Sequence, residues 1–187
     1  MGIVLKILEV NLGPDRKSFK YYKEIKENMA STLTAATMTV TLTEAITLNG
    51  YDQGSKNTKT IASVTEISKR IMEITTNEAQ IVTMSGAVAS SGHFNDSFVR
   101  YMRFTNLDDT NFLTLTFTND DNDEVAIKLD AGNSFMWFAD NSGGMVDVFN
   151  AATAGDAASD TALGSIKTIQ ADANTGNCDL EVLIASV

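Results

Sequence analysis

Short runs in which apolar residues alternate with polar ones, often threonine, constrain the fold of this chain most strongly. They lie at residues 37–43 (TMTVTLT), 113–118 (LTLTFT), 125–129 (VAIKL) and 180–184 (LEVLI). Successive side chains of a β-strand point to opposite faces, so a period of two places the apolar residues on one face. The pattern predicts half-buried antiparallel strands, which threonine suits because its side chain is β-branched.

Turn-forming residues separate these runs. They lie at Asn49-Gly50 and at residues 106–111 (NLDDTN), 119–124 (NDDNDE) and 130–133 (DAGN). Asp, Asn and Gly tolerate the backbone angles of tight turns. Short strands at intervals of about 8–12 residues are typical of an all-β sandwich. We therefore predict an antiparallel β-sandwich, either jelly-roll-like or immunoglobulin-like, since periodicity does not reveal which strands pair.

Three segments of the chain are less regular. Residues 61–74 lose the alternation around residues 66–70, which predicts either a bulge or two separate strands. Residues 77–88 fit a strand or a helix equally well. Residues 150–164 are rich in Ala, Asp, Ser and Thr, and we predict a loop there.

The chain changes character at Met29. Residues 18–28 (SFKYYKEIKEN) place three apolar side chains at helical spacing, which predicts a short amphipathic helix. We therefore divide the chain into an N-terminal extension, residues 1–28, and a β-sandwich domain, residues 29–187. The extension is either an arm that reaches a neighbouring subunit or an upstream segment that precedes a true start at Met29.

The charge is strongly negative and unevenly distributed. The 187 residues have a net charge of −10, and residues 104–187 contain two basic and fourteen acidic side chains. Such a surface repels phosphate backbones, which disfavours direct binding of nucleic acid. No apolar run approaches the roughly 20 residues of a membrane-spanning helix, so we expect no membrane partner.

Few residues suit catalysis. Cys178 is the single cysteine, which excludes a disulfide within the chain and a cysteine-based zinc site; we predict a buried structural thiol in a reducing compartment. His93, the single histidine, is predicted to lie in a loop (SSGHFN). The sequence contains no nucleophile-elbow, zinc-protease, phosphate-loop or dinucleotide-binding motif. We predict a non-enzymatic protein with no catalytic residue and no cofactor.

The segment from Asn119 to Glu124 (NDDNDE) is the one candidate for metal binding. Its consecutive oxygen-bearing side chains suit Ca²⁺, but the spacing does not match an EF-hand. A tight hairpin also directs alternate side chains apart. We therefore favour a solvated turn over a calcium site and predict no metal.

The aromatic run at residues 135–138 is the candidate interface. Alternation places Phe135 and Trp137 on one face of a strand and Met136 and Phe138 on the other. Since both faces are apolar, either the strand is central and covered twice, or one face meets a second subunit. We rank core packing first, a subunit interface second and a sugar-binding platform third.

Three segments of the sequence carry a family resemblance. They are the opening MASTLTAATMTVTLTEAITLNG, the block FVRYMRFTNLDDTNFLTLTFTNDDNDEVAIKLDAGNSFMWF and the terminal SIKTIQADANTGNCDLEVLIASV. With these segments, residues 29–187 resemble small β-sandwich virion proteins of tailed bacteriophages, particularly of marine phages. The middle block, an aromatic and basic strand followed by a turn and a threonine strand, is the most telling.

The resemblance implies a structural role in the virion, in the head (capsid), the neck or the tail, and assembly in the host cytoplasm. Its implied partners are further copies of the chain and other virion proteins, and it implies no catalytic residues. The alternative function is a carbohydrate- or host-surface-binding β-sandwich that uses Trp137 or the acidic loops.

Overall fold

A computed structural model describes residues 4–9, 20–25, 33–84, 92–120, 122–139, 146–147 and 164–187. Within these ranges the chain forms β-strands and no helix, which confirms the predicted all-β class. The chain divides into two compact units, Met1–Leu33 and Thr34–Val187.

The first unit contains one antiparallel pair of strands, β1 (Val4–Glu9) and β2 (Lys20–Ile25). The register joins Val4 to Ile25 and Glu9 to Lys20. The predicted helix is therefore wrong over Lys20–Ile25, because pairing with a neighbouring strand overrides the local helical spacing of three apolar residues. Whether this segment acts as an arm stays a prediction.

The second unit is built on two sheets. The four-stranded sheet has the order β13-β10-β16-β7, and every neighbouring pair in it is antiparallel. Its strands are β7 (Glu66–Ile74), β10 (Val99–Asn106), β13 (Ser134–Phe138) and β16 (Cys178–Ser186).

The six-stranded sheet has the order β12-β11-β15-β8-β9, and β14 also pairs with β15. Its strands are β8 (Ala79–Met84), β9 (His93–Phe94), β11 (Leu113–Asn119), β12 (Glu124–Leu129), β14 (Val146–Asp147) and β15 (Gly164–Ala173). The pairs are antiparallel except β8 with β9.

The inner faces of the two sheets enclose the main core. Phe104 of one sheet meets Phe117 of the other edge to face, with ring centroids 6.1 Å apart. Around them the core is made of apolar side chains that are nearly or fully buried, among them Val82, Met84, Met102, Leu115, Ile169, Leu180 and Ile184. Two open sheets with a shared apolar interior form the predicted β-sandwich.

A two-stranded ribbon extends the second unit. It consists of β3 (Ala36–Glu44) and β6 (Ser55–Val64), which pair antiparallel. Its far end carries a small hairpin of β4 (Thr47–Leu48) and β5 (Tyr51–Asp52). Asn49 and Gly50 connect them with φ of 51° and 83°, as the predicted Asn-Gly turn requires. We call residues 36–64 the ribbon and residues 45–53 its tip.

The root of the ribbon packs on the outer face of the four-stranded sheet. Ile61 and Val64 form a second, smaller core there with Tyr101 and Ala185. The partly buried side chains around this core are Met38, Val40, Leu183 and Val187. Burial of apolar surface thus anchors the root of the ribbon to the sheet.

The structure resolves the predictions for the three irregular segments differently. Residues 61–74 form two strands, β6 and β7, as one of the two alternatives predicted; Ser63 bends the chain with φ of 61° just before the break. Within residues 77–88, the described part is the strand β8. The predicted loop at residues 150–164 lies outside the described residues except for Gly164, which begins β15.

Candidate assembly interface

Strand β13, which carries the candidate interface residues, lies at the edge of the four-stranded sheet. It pairs with β10 from Thr105↔Ser134 to Tyr101↔Phe138. On its other side, no strand of the described part of the chain pairs with it. The alternative of a central strand is therefore wrong within these residues. An edge strand presents unpaired N–H and C=O groups, which a further strand can bind.

The inward side chains of β13 belong to the core, as the first-ranked interpretation predicts. The ring of Phe117 lies 5.5 Å from the ring of Phe135 and 5.6 Å from that of Trp137. Both side chains are partly buried against the main core. Because Trp137 packs against Phe117 in this way, its position does not favour a sugar-binding platform.

The outward side chains of β13 are exposed. Met136 is 37% and Phe138 is 38% exposed, and the ring of Phe138 lies 4.9 Å from that of Tyr101. The alternation predicted for this strand is correct, but the two faces have different surroundings. The outward pair faces the ribbon rather than a second sheet.

An apolar groove of about 400 Å³ opens at the lateral edge of the sandwich, where β12 and β13 each end their sheet. We call it the edge groove. It is lined by Phe117, Val125, Ile127, Phe135, Met136, Trp137 and Phe138. Partly buried side chains that flank the main core are therefore accessible from this side.

A second apolar groove of about 230 Å³ lies between the ribbon and β13. We call it the ribbon groove. Its lining is Val40, Thr41, Leu42, Asn57, Thr58, Lys59, Met136 and Phe138. Met136 and Phe138 thus line both grooves and form the ridge between them.

One face of the ribbon combines apolar residues of β3 with polar residues of β6, since the partners of Val40 and Leu42 across the ribbon are a lysine and an asparagine. Met38, Val40 and Leu42 share a face because they alternate along β3, and threonines occupy the positions between them. Burial falls from root to tip, since Leu42 is 44% exposed, Leu48 60% and Tyr51 72%. Exposed apolar side chains therefore occur along the ribbon beyond the part that the sheet covers.

Charged groups on the outer face of the four-stranded sheet form a cluster on β7, β10 and β16, and one of them, Arg103, is the register partner of Met136 on β13. The carboxylate of Glu181 accepts hydrogen bonds from Lys69 Nζ at 2.9 Å and from Arg103. The hydrogen bond from Lys69 is the main cause that lowers the pKa of Glu181. Neither β13 (SFMWF) nor residues 45–51 of the tip (AITLNGY) contains a charged residue.

An acidic pocket of about 400 Å³ lies elsewhere on the domain and is lined by Glu73, Leu107, Asp108, Asp109, Asn177 and Asp179. Two of its acids, Glu73 and Asp108, accept hydrogen bonds from neighbouring residues. Asn177 donates to Glu73 at 2.8 Å, and Asp108 accepts the backbone N–H groups of Asn111 and Thr110 at 2.6 and 2.8 Å. These backbone hydrogen bonds lower the pKa of Asp108, as expected of a turn residue.

His93 lies in a β-strand and Cys178 is buried in the core. His93 belongs to the two-residue strand β9 rather than to the predicted loop, because it pairs with Thr83 of β8. Cys178 is 1% exposed, which confirms the predicted buried thiol. Desolvation by burial is the main cause that raises the pKa of Cys178, and the negative charges of Asp108 and Asp179 raise it further. His93 lines none of the three pockets described above.

The Asp- and Asn-rich segment forms a turn between β11 and β12. Asn119 is fully buried, and its side-chain oxygen accepts the backbone N–H of Asp123 at 2.8 Å. Asn122 adopts a left-handed φ of 66°. No group of three or more His, Cys, Asp or Glu able to hold a metal ion occurs among the described residues, which do not include Asp121.

No protein-family model, no curated protein and no solved structure matches this chain. In the ranges that the structure describes, no helix has the length and apolar character needed to cross a membrane.

Proposed function

We propose that this chain is a non-enzymatic structural protein of a bacteriophage virion that assembles with further copies of itself. The observation that carries the self-assembly is the ribbon, whose tip exposes apolar side chains that its own domain does not cover. The phage assignment comes from the sequence resemblance of residues 29–187.

A ribbon of this kind gains stability from a neighbouring molecule. An isolated two-stranded hairpin is at best marginally stable in water. Burying one large apolar side chain is worth about 1.5–3 kcal/mol, and the tip exposes Ile46, Leu48 and Tyr51. Closed symmetry repeats such a contact once per subunit, so a modest interface is multiplied around a ring.

The charge distribution supports the same proposal. With a net charge of −10, two copies repel each other overall. Strand β13 and residues 45–51 of the tip contain no charged residue, so copies meet there without two like charges in direct contact. The negative remainder favours a soluble particle surface and disfavours direct contact with the packaged genome.

Light scattering coupled to size-exclusion chromatography of the full chain tests the self-assembly. We expect a defined oligomer whose mass is a multiple of 20.1 kDa. A protein that stays monomeric at every concentration would overturn the proposal, and a monomer that binds glycans would replace it with the alternative binding module.

Mass spectrometry of purified phage particles tests the virion assignment separately. We expect peptides of this chain in a fixed ratio to the major capsid protein. Their absence from particles produced in cells that express the chain would overturn the assignment while leaving the self-assembly intact.

A further inference from the structure

We propose that the ribbon tip of one copy binds in the edge groove of a neighbouring copy, in a head-to-tail contact. This inference rests on the proposed self-assembly and names the two surfaces that meet. Each copy then donates one tip and accepts one.

The donor surface is the apolar side of the tip. Leu48 and Tyr51 are directly opposed across the Asn-Gly hairpin, so their side chains share one face. Ile46, two residues before Leu48, lies on the same side by alternation. The exposed fractions of these three side chains, 54%, 60% and 72%, show that their own domain does not cover them.

The acceptor surface is the edge groove together with the edge of β13 that no described strand pairs. The groove is lined by aromatic and branched side chains, including Phe117, Val125 and Ile127. The side chains of Met136 and Phe138 form its rim and are more than a third exposed. Within the described ranges, the backbone of β13 has hydrogen-bond partners on the β10 side alone, so a strand-like segment can add to its other side.

The chemistry of donor and acceptor matches. The tip offers a short extended segment with aliphatic and aromatic side chains on one face. The groove offers an apolar cleft beside a strand edge that has no partner among the described strands. The tip residues between Glu44 and Asp52 and all of β13 are uncharged. In an acidic chain, contact between two uncharged surfaces avoids the repulsion that two copies otherwise meet.

The placement of the ribbon favours a second copy as the occupant. The middle of the ribbon lies over Met136 and Phe138, where it lines the ribbon groove. The tip lies further along the same ribbon and is exposed, so it does not occupy the groove of its own chain. A donor and an acceptor on different parts of one molecule make a heterologous contact, which closes into a ring or continues as a filament.

Complementation between two variants tests this contact. Leu48→Lys disables the tip and leaves the groove intact, whereas Met136→Lys disables the groove and leaves the tip intact. We expect each purified variant alone to be monomeric by light scattering. Mixed in equal amounts, the two are expected to form a one-to-one heterodimer of twice the monomer mass, because one intact tip and one intact groove remain.

Two variants serve as matched controls. Thr43→Lys places the same charge on the polar face of the ribbon. Ile71→Lys places it on the same outer face of the sheet, at the opposite edge strand β7, where Ile71 is 60% exposed. Both controls are expected to keep the oligomer of the unmodified protein.

Disulfide trapping provides a measurement that does not depend on disrupting the interface. The variants Leu48→Cys and Met136→Cys are oxidised separately and after mixing, with the native Cys178 buried. We expect a cross-linked dimer in the mixture and none in either variant alone. Cross-linking of Leu48→Cys by itself would indicate a tip-to-tip contact and overturn the proposal.

The outcomes separate the two proposals. A monomeric unmodified protein overturns the self-assembly itself. If the oligomer survives Leu48→Lys or Met136→Lys, the tip-in-groove contact is overturned and the self-assembly stands. The same conclusion follows if Ile71→Lys is the only variant that abolishes the oligomer. Variants that are monomeric separately but do not associate or cross-link on mixing also overturn the contact.

Discussion

The ring of Phe138 lies 4.9 Å from the ring of Tyr101, its register partner on the neighbouring strand. Tyr101 is buried in the small core that anchors the ribbon root, and Phe138 lines both apolar grooves. This pair of rings therefore connects the ribbon to the edge strand that we propose as the acceptor surface.

Replacing Phe138 with alanine tests the contribution of this contact. The substitution removes a half-buried ring and its aromatic partner interaction, so we expect the free energy of unfolding to fall by about 1–3 kcal/mol. Met136→Ala is the matched control, because Met136 is equally exposed but has no ring partner. Urea unfolding of monomeric protein measures the free energy of unfolding of both variants. An equal decrease in the two would contradict the structural role of the ring pair.

The ion pairs of Glu181 predict a pH dependence of stability. Its carboxylate bonds Lys69 and Arg103, and these partners hold its pKa below the ordinary 4.5. The folded protein therefore binds a proton at Glu181 less readily than the unfolded chain does. This contribution is fully present above pH 4.5 and is lost as the pH falls through the lower pKa of the folded state.

Glu181→Gln is the corresponding variant. We expect it to lower the free energy of unfolding by about 1 kcal/mol at neutral pH, a modest loss because Lys69 is exposed and solvent screens its charge. The difference from the unmodified protein should shrink as the pH drops below 4.5. Asp130→Asn, which breaks the exposed pair of Asp130 with Lys128, is the control and should change little. If the difference in free energy of unfolding between Glu181→Gln and the unmodified protein grew in acid, the stabilising role of the Glu181 ion pairs would be contradicted.

Gly92 and Gly132 form a matched pair for a prediction about backbone strain. Both have a left-handed φ, of 75° and 71°. A Cβ at Gly92 would lie 3.0 Å from Nη1 of Arg70, whereas a Cβ at Gly132 would meet nothing within 4 Å. Arg70 donates to the carbonyl of Ile81 and so links β7 to β8.

We expect Gly132→Ala to cost about 1 kcal/mol from the unfavourable φ alone. Gly92→Ala should cost more, because the guanidinium of Arg70 must also shift. Thermal unfolding of the two variants under the same conditions measures the difference. Equal midpoints would show that Arg70 moves freely and does not fix the position of Gly92.

The sequence predicted the strands whose alternation is uninterrupted. Residues 113–118 and 125–129 fall within β11 and β12, which pair as the intervening turn requires. Strand β15 was missed, although it lies centrally in its sheet. Its buried Ile166 and Ile169 are three residues apart, because the pairing with β11 shifts register between Thr118 and Asn119. An irregularity of this kind breaks the period of two from which strands are predicted.

For the candidate interface, the sequence predicted the two faces of β13 but not the position of β13 in the sheet. Alternation assigned Phe135 and Trp137 to one face and Met136 and Phe138 to the other, and that assignment is correct. It did not reveal that β13 is an edge strand, since strand order depends on pairings distant in sequence. Nor did the alternation at residues 37–43 reveal that the apolar face of β3 is covered near Met38 and Val40 and exposed beyond them.

The ribbon makes a prediction about local stability that is independent of any variant. Near the root, pairs such as Met38↔Ile61 are supported by the small core, whereas both side chains of the tip pair Leu48↔Tyr51 are mostly exposed. Backbone hydrogen bonds with little buried surface around them open readily. In monomeric protein, we therefore expect amides of the distal ribbon to exchange at least about tenfold faster than those of the root.

Hydrogen exchange followed by mass spectrometry measures this gradient peptide by peptide, with β10 and β16 as a protected reference. In the assembled protein, we expect the distal ribbon to become protected while the outer surface of β7 does not change. Uniform protection along the ribbon of the monomer would contradict the prediction. It would show that the hairpin is stable by itself and would remove the physical reason for it to need a neighbouring molecule.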